Sequence, residues 1–268
     1  MIISIYPLFY TIFISLHEWN YLKAYIPPKF IGAENYIKLF QDPIFLNTLY
    51  VTTLFTVMCI LIELILGIGL GCLLYSERLK WKRVIRSLIL LPMMLTPVII
   101  GFTWKSLLNL KWGIINYFLH LIGIKGIMWH TSLTQALPTM VLIDVWEWTP
   151  FVTLIIMALL SSLPTAPFEA AAIDGASKWQ IFRHITLPML KDGIIMIILL
   201  RALDALKEFD KIYILTRGGP EHATDVLSIF GYRIAFFHGY VSHAAAASII
   251  LFIIIMILCT ILFKLIKR

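Results

Sequence analysis

The chain has 268 residues, 60% of them hydrophobic and 14% charged, with a formal net charge of +7 at pH 7 and a mean hydropathy of +0.89. A soluble domain carries about 25% charged residues, so an ordinary soluble enzyme is excluded, and nucleic acid is not an expected partner despite the positive charge. Lipid is the solvent for most of the chain, and the expected fold class is an all-α integral membrane protein with about six transmembrane helices.

The first apolar run, Met1 to Leu16, makes roughly 24 Å of helix at about 1.5 Å per residue, which is short for a span. No basic residue precedes it, so it is a poor signal peptide, and a missing upstream piece is expected. Further spans are expected at about Leu46 to Leu74, Val84 to Leu108, Leu137 to Leu160, Leu190 to Leu215 and Ala244 to Phe263. Cys59, Cys72 and Cys259 lie inside such runs and read as packing residues rather than a disulfide framework. In the second span, Gly67 and Gly71 form a GxxxG packing face, and Glu63 is a buried acid in need of a pairing partner.

The connecting segments set the orientation. Arg78, Lys80, Lys82, Arg83 and Arg86 face a single acid, Glu77; Lys178, Arg183 and Lys191, and then Lys264, Lys267 and Arg268, fall on the same side of a six-span chain. The positive-inside rule makes that side cytoplasmic, with both termini there. On the opposite side Lys23, Lys29 and Lys38 are balanced by Glu18, Glu34 and Asp42.

No phosphate-binding GxxxxGK[ST], HExxH, GxSxG or cysteine–histidine metal pattern occurs. His17, His130, His222, His238 and His243 are scattered near the expected outer surface and read as hydrated interfacial residues. The chain is therefore expected to be no enzyme and to hold no metal or cofactor; any ATP it depends on is bound by another chain.

One polar stretch interrupts the grease: EAAAIDGASKWQIFRHITLPML, Glu169 to Leu190. Three alanines favour a short helix with a low surface. Gly175 suits a left-handed helix end, and Ser177-Lys178-Trp179-Gln180 is a capping box that opens a second helix. From these residues alone two readings stand: an amphipathic loop lying on the membrane, or a helix–Gly–helix elbow that docks on a partner.

Two spans carry charges that lipid should not tolerate. Asp144, Glu147, Trp148 and Phe151 share one helical face, as do Arg201, Asp204 and Glu208, with Lys207, Asp210 and Lys211 nearby. Each charge near the bilayer centre costs on the order of 3 kcal/mol, so such groups face a bundle interior or a wet cavity. Either they pair among themselves, Arg201 with Asp204 as an i, i+3 pair, with Asp210 and Lys211 hydrated at the interface, or they line a solute cavity whose carboxylates and aromatic faces suit a sugar. Pro150 removes a backbone donor beside that face.

The elbow also resembles a family signature. EAA, Gly175 and Ile185-x-Leu187-Pro188, at this spacing, resemble the EAA motif of permease subunits from binding-protein-dependent ABC importers, most closely the carbohydrate-uptake branch. Phe30-Ile31-Gly32-Ala33-Glu34-Asn35-Tyr36, Asp42-Pro43-Ile44-Phe45, Asn47-Thr48, Gly113-Ile114-Ile115-Asn116, Phe209-Asp210 and Leu215-Thr216-x-Gly218-Gly219-Pro220 extend the resemblance over nearly the whole chain.

The resemblance implies a single transmembrane domain over 1–268, in a prokaryotic inner membrane, with a coupling loop at about 161–188. It implies that Glu169, Ala170, Ala171, Asp174, Gly175, Leu187 and Pro188 couple to a cytoplasmic ATPase dimer. It further implies a second homologous permease, an extracytoplasmic solute-binding protein, and solute contacts at Asp144, Glu147, Trp148, Phe151, Arg201, Asp204, Ala205 and Glu208. This sequence is more charged there than the maltose-type pattern, which leaves the sugar open and admits an amino sugar, or charges that are only structural. An ion-gradient-driven secondary transporter is the rival reading; the intramembrane acids fit it, but it needs no docking elbow.

Overall fold

The structure is a computed structural model that describes residues 2–23, 25–75 and 81–266. Glu77, Arg78, Lys80, Lys267 and Arg268 lie outside the described residues, as do the side chains of Lys82 and Arg83. The elements run α1 (Ile2–Ser15), β1 (His17–Glu18), β2 (Lys29–Phe30), α2 (Glu34–Gln41), α3 (Pro43–Tyr75), α4 (Lys82–Leu90), α5 (Pro97–Leu107), α6 (Ile114–Leu121), α7 (Ala136–Ser162), α8 (Ala166–Ile173), α9 (Lys178–Ile181), α10 (Leu187–Ala205), α11 (Asp210–Leu215), α12 (Leu227–Phe236) and α13 (Val241–Ile266). The two short strands pair antiparallel. Among the described residues, α3, α7 and α13 are each long and apolar enough to cross a bilayer.

Two of the expected spans are not single helices. The run from Val84 to Leu108 is broken into α4, a 3-10 turn at Pro92–Met94, and α5. Pro92 and Pro97 lack the backbone N–H that a continuous helix needs, and Pro97 sits at the first position of α5, where that donor is not missed. The run from Leu190 to Leu215 breaks between α10 and α11. There side chains take over the backbone partners: the Lys211 N–H donates to Glu208 Oε1, and the Ser228 hydroxyl donates to the Glu208 carbonyl.

The chain divides into two compact units, Met1–Val57 with Pro97–Leu142 and Leu203–Leu258, and Met58–Thr96 with Ile143–Ala202 and Cys259–Arg268. In the first, Leu39, Phe45, Leu227, Phe230, Ala246, Ala247 and Ile250 form the core. The motif asparagines hold its loops. Asn35 donates to the carbonyls of Ser15 (2.7 Å) and His17 (2.9 Å). Asn116 donates to Leu108, Asn109 and Ile127 carbonyls and accepts from the Ile127 N–H and the Trp129 indole. Lys105 Nζ donates to the Ile214 carbonyl (2.7 Å), a cation at the C-terminal end of α11.

In the second unit, Val152, Ile156, Leu160, Leu190 and Ile197 are the core, with Leu64, Ile68 and Cys72 packed on it. Gly67 and Gly71 let α3 close on α7. A Cβ on Gly67 would stand 2.4 Å from Val152 Cγ1, and one on Gly71 2.6 Å from Ile156 Cγ2. Gly67→Val is therefore expected to destabilise the protein by about 1–3 kcal/mol through overpacking, read as a lower melting temperature in detergent. Gly69→Ala, where the added Cβ meets nothing within 4 Å, should leave that temperature almost unchanged. Arg86 donates through Nη2 to the Leu74 carbonyl (2.8 Å), so one cation of the basic segment caps the end of α3. The three cysteines are free thiols.

Candidate coupling elbow and buried charge cluster

The polar stretch folds as an elbow, and each part of it has a local cause. α8 ends in a Schellman motif: the Gly175 N–H donates to the Ala172 carbonyl and the Ala176 N–H to the Ala171 carbonyl. Gly175 has φ +76°, a conformation that costs any residue with a Cβ. Two residues on, Ser177 is the N-cap of α9. Its hydroxyl accepts from the Gln180 N–H (3.3 Å), and the Ser177 N–H donates to Gln180 Oε1 (2.7 Å). Removing the hydroxyl in Ser177→Ala is expected to cost about 1 kcal/mol of local helix stability, seen as faster amide exchange at Gln180 with exchange in α7 unchanged.

The second helix of the elbow and the expected span from about Leu190 are one helical run. α9 passes through a π-helical turn, Phe182–Thr186, directly into α10. Pro188 explains the turn. As the second residue of α10 it cannot donate to the carbonyl four residues back, and its ring crowds that carbonyl; the wider π turn relieves the clash. Lys178 to Ala205 is thus one continuous helical path.

Of the residues assigned to coupling, Glu169, Ala170, Asp174, Gly175 and Pro188 are exposed, Leu187 is half-buried, and Ala171 is buried. Sequence reasoning missed Ile173 and Trp179, which flank Gly175 and are 86% and 66% exposed. Two large apolar side chains standing out of a polar loop are what a docking surface provides. The available signal was their position on either side of a left-handed glycine. Between this loop and the ends of α3 and α7 lies a cavity of about 680 Å³, lined by Tyr75, Leu160, Phe168, Glu169, Ile181 and Phe182 among others.

The charges of the spans meet different partners from the one expected for Arg201. Arg201, 1% exposed, donates from Nε to Glu63 Oε2 (2.6 Å), and from Nη2 to Glu63 Oε1 (2.8 Å) and Asp144 Oδ2 (2.8 Å). Its planar fork matches the Glu63 carboxylate bidentately. The Arg201–Asp204 pair is therefore not formed. Asp204 is exposed and lies 3.7 Å from the exposed Lys207, a weak surface pair. The pairing role expected of Glu63 is met.

Arg201 also lies over Trp148, with Cζ 4.5 Å from the ring centroid. Trp148 in turn meets Phe151 edge to face at 5.8 Å. Glu147 is buried on the same helix. α3, α7 and α10 are thus tied together by one guanidinium and two carboxylates in the second unit. Cys59 Sγ, Glu63 and Asp144 oxygens lie within 4.8 Å of one another, but Arg201 already engages both carboxylates, and the group reads as an ion-pair cluster rather than a metal seat.

Ala205 and Glu208 belong to the first unit. Ala205 is buried, and Glu208 pairs with Lys211 at 3.1 Å. Lys211 is 3% exposed, so it is a buried partner rather than the hydrated interfacial cation expected.

The family described as "Binding-protein-dependent transport system inner membrane component" matches residues 63–268. The trehalose/maltose transport system permease protein MalF of Thermococcus litoralis is 35% identical, over 96% of this chain and 85% of its own length. The sulfoquinovosyl glycerol transport system permease protein SmoG of Agrobacterium fabrum is 32% identical, over 99% and 86%. Among solved structures, a bacterial alginate ABC transporter in complex with an alginate pentasaccharide-bound periplasmic protein has a similar fold, with a TM-score of 0.79 at 23% identity, over 87% of this chain and 81% of that one.

Proposed function

We propose that this chain, which belongs to the binding-protein-dependent transport system inner membrane component family, is the membrane-spanning subunit through which an ATP-driven importer moves a sugar or oligosaccharide. The observation that carries the reading is the elbow: a Schellman turn and a capping box hold Ile173 and Trp179 outward at the head of one continuous helical path. A cytoplasmic ATPase dimer would grip this elbow. Its closure on ATP would push α9 and the π turn, and α10 would carry the displacement to Arg201. There the ion-pair cluster links α10 to α3 and α7, so the three helices move as a group. The chain itself breaks no bond, and ATP is bound and split on the partner.

The sugar assignment draws on relatives named for trehalose, maltose and sulfoquinovosyl glycerol. In the second unit, Trp148 and Phe151 offer aromatic faces and Glu147 an acceptor, while the Arg201–Asp144 pair fixes the Trp148 ring. In the first, Asp204, Ala205 and Glu208 are the proposed solute residues. A second homologous permease and an extracytoplasmic binding protein complete the assembly. The elbow side is proposed to be cytoplasmic, with both termini.

Purification of the chain from its native membrane in mild detergent should bring with it an ATPase and a second permease. The double variant Ile173→Ala, Trp179→Ala should lose the ATPase and keep the permease. Undiminished recovery of the ATPase with that variant would remove the elbow from the coupling surface.

A further inference from the structure

We propose that Glu63, which lies outside the proposed solute set, is a positioning residue for sugar recognition: its bidentate contact with Arg201 holds the Trp148 ring in the orientation that receives the sugar. The proposal rests on the reading of Trp148 as a solute residue. Glu63, Asp144, Trp148 and Arg201 all belong to the second unit.

Trp148 has no polar anchor of its own. Its indole N–H has no hydrogen-bond partner among the described residues. Two neighbours set the ring instead. Phe151 meets it edge to face at 5.8 Å and is itself packed on the core of this unit. The Arg201 guanidinium lies over the ring, with Cζ 4.5 Å from the centroid, and a cation at that distance is attracted to the ring face and sets its tilt. The ring is half-buried, so part of it is left for a solute, and its N–H can donate to a hydroxyl.

This platform is only as fixed as Arg201. Asp144, one turn before Trp148 on α7, accepts a single bond, from Nη2 (2.8 Å). That bond sets where the guanidinium sits but not the plane it lies in. Glu63 supplies the plane, taking Nε on Oε2 (2.6 Å) and Nη2 on Oε1 (2.8 Å). Two parallel bonds to one carboxylate fix an orientation as well as a distance. They come from α3, so the platform is braced from outside the helix that carries the ring. Glu63 is buried, 0% exposed, and acts through Arg201 rather than on the sugar.

If Glu63 only stabilised the cluster, its loss would lower the melting temperature and leave the ring as it was. A positioning residue changes the ring and the sugar affinity. Glu63→Gln keeps the size of the side chain and leaves Arg201 balanced by Asp144, so the variant is expected to fold.

The test is fluorine NMR of the detergent-purified assembly labelled with 5-fluorotryptophan, without binding protein and without ATP. The Trp148 line is assigned by its loss in Trp148→Phe. In the parent this line should be single and narrow, and maltose or trehalose should shift it saturably, with a dissociation constant on the order of millimolar. In Glu63→Gln the line should broaden or split, and the affinity for the same sugar should fall about tenfold, corresponding to about 1.4 kcal/mol. Phe45→Leu, in the core of the first unit, should lower the melting temperature without either change. If Glu63→Gln yields too little protein, Glu63→Asp gives the same reading, since a carboxylate one methylene shorter cannot hold both bonds in place. An unchanged Trp148 line, or an unchanged sugar affinity, in the Glu63 variant would overturn the proposal. A parent line that answers neither sugar would remove Trp148 from the solute set and overturn the proposal with it. Recovery of the ATPase is measured separately, so the importer reading stands or falls on its own.

Discussion

Arg201→Met is expected to be the most damaging single substitution in the protein, costing about 3–5 kcal/mol. Glu63 and Asp144 would be left buried with their shared cation gone, and breaking a buried pair by removing one partner carries that penalty. The guanidinium is held at 2.6–2.8 Å by three oxygen contacts, and it also covers Trp148. The measurement is the yield and melting temperature of the detergent-purified protein. The decisive comparison is the triple variant Arg201→Met, Glu63→Gln, Asp144→Asn. With the charges removed together it should recover most of the loss, because a neutral replacement of a buried ion cluster is often tolerated. An Arg201→Met protein as stable as the parent would mean that the cluster bears no structural load.

Gly175→Asp is expected to uncouple the assembly while leaving the protein folded. The residue sits at φ +76°, and a Cβ built there meets nothing within 4 Å. The cost is therefore backbone strain of about 1–2 kcal/mol, confined to an exposed turn, plus a new acid next to Asp174 on the proposed docking face. Gly175→Asn separates the two effects. Asparagine tolerates the left-handed region better than other residues with a Cβ and adds no charge, so it should retain most of the transport that Gly175→Asp loses. The readout is sugar uptake per ATP hydrolysed in the reconstituted assembly. Normal uptake and normal ATP use by Gly175→Asp would take Gly175 out of the coupling path.

What could be read from the sequence was what neighbouring residues decide. Gly175 and the Ser177–Gln180 box are local signals, and both take the geometry their residue types demand. Gly67 and Gly71 were legible as a packing face, because helix spacing alone puts them on one side of α3. The two breaks in the expected spans were hidden for different reasons. Pro92 and Pro97 stand in plain view, but the apolar run around them masks their effect. At the break before Asp210 the Glu208 carbonyl is taken by Ser228, twenty residues downstream of Glu208, and no window on α10 reveals it.

The charge cluster was half legible. Glu63 declared itself as an acid in want of a partner. Arg201, however, was matched to the nearest carboxylate in sequence, and its true partner lies 138 positions away. Desolvation decides that choice: Asp204 can remain in water with Lys207, whereas Glu63 and Asp144 cannot. The continuity of α9 with α10 was not legible, since a proline at a membrane boundary ordinarily marks a helix start and the π turn that absorbs it leaves no pattern.

The central claim is that ATP used by a partner, acting through the elbow, drives this chain. It is tested most directly by uptake of labelled sugar into liposomes that contain the purified assembly and its binding protein. Uptake that requires ATP inside the elbow-facing compartment, and that persists when proton and sodium gradients are collapsed, is the predicted result. Uptake by this chain without an ATPase, driven by either gradient and abolished by an ionophore, would contradict the account and turn the buried carboxylates of α3 and α7 into ion sites.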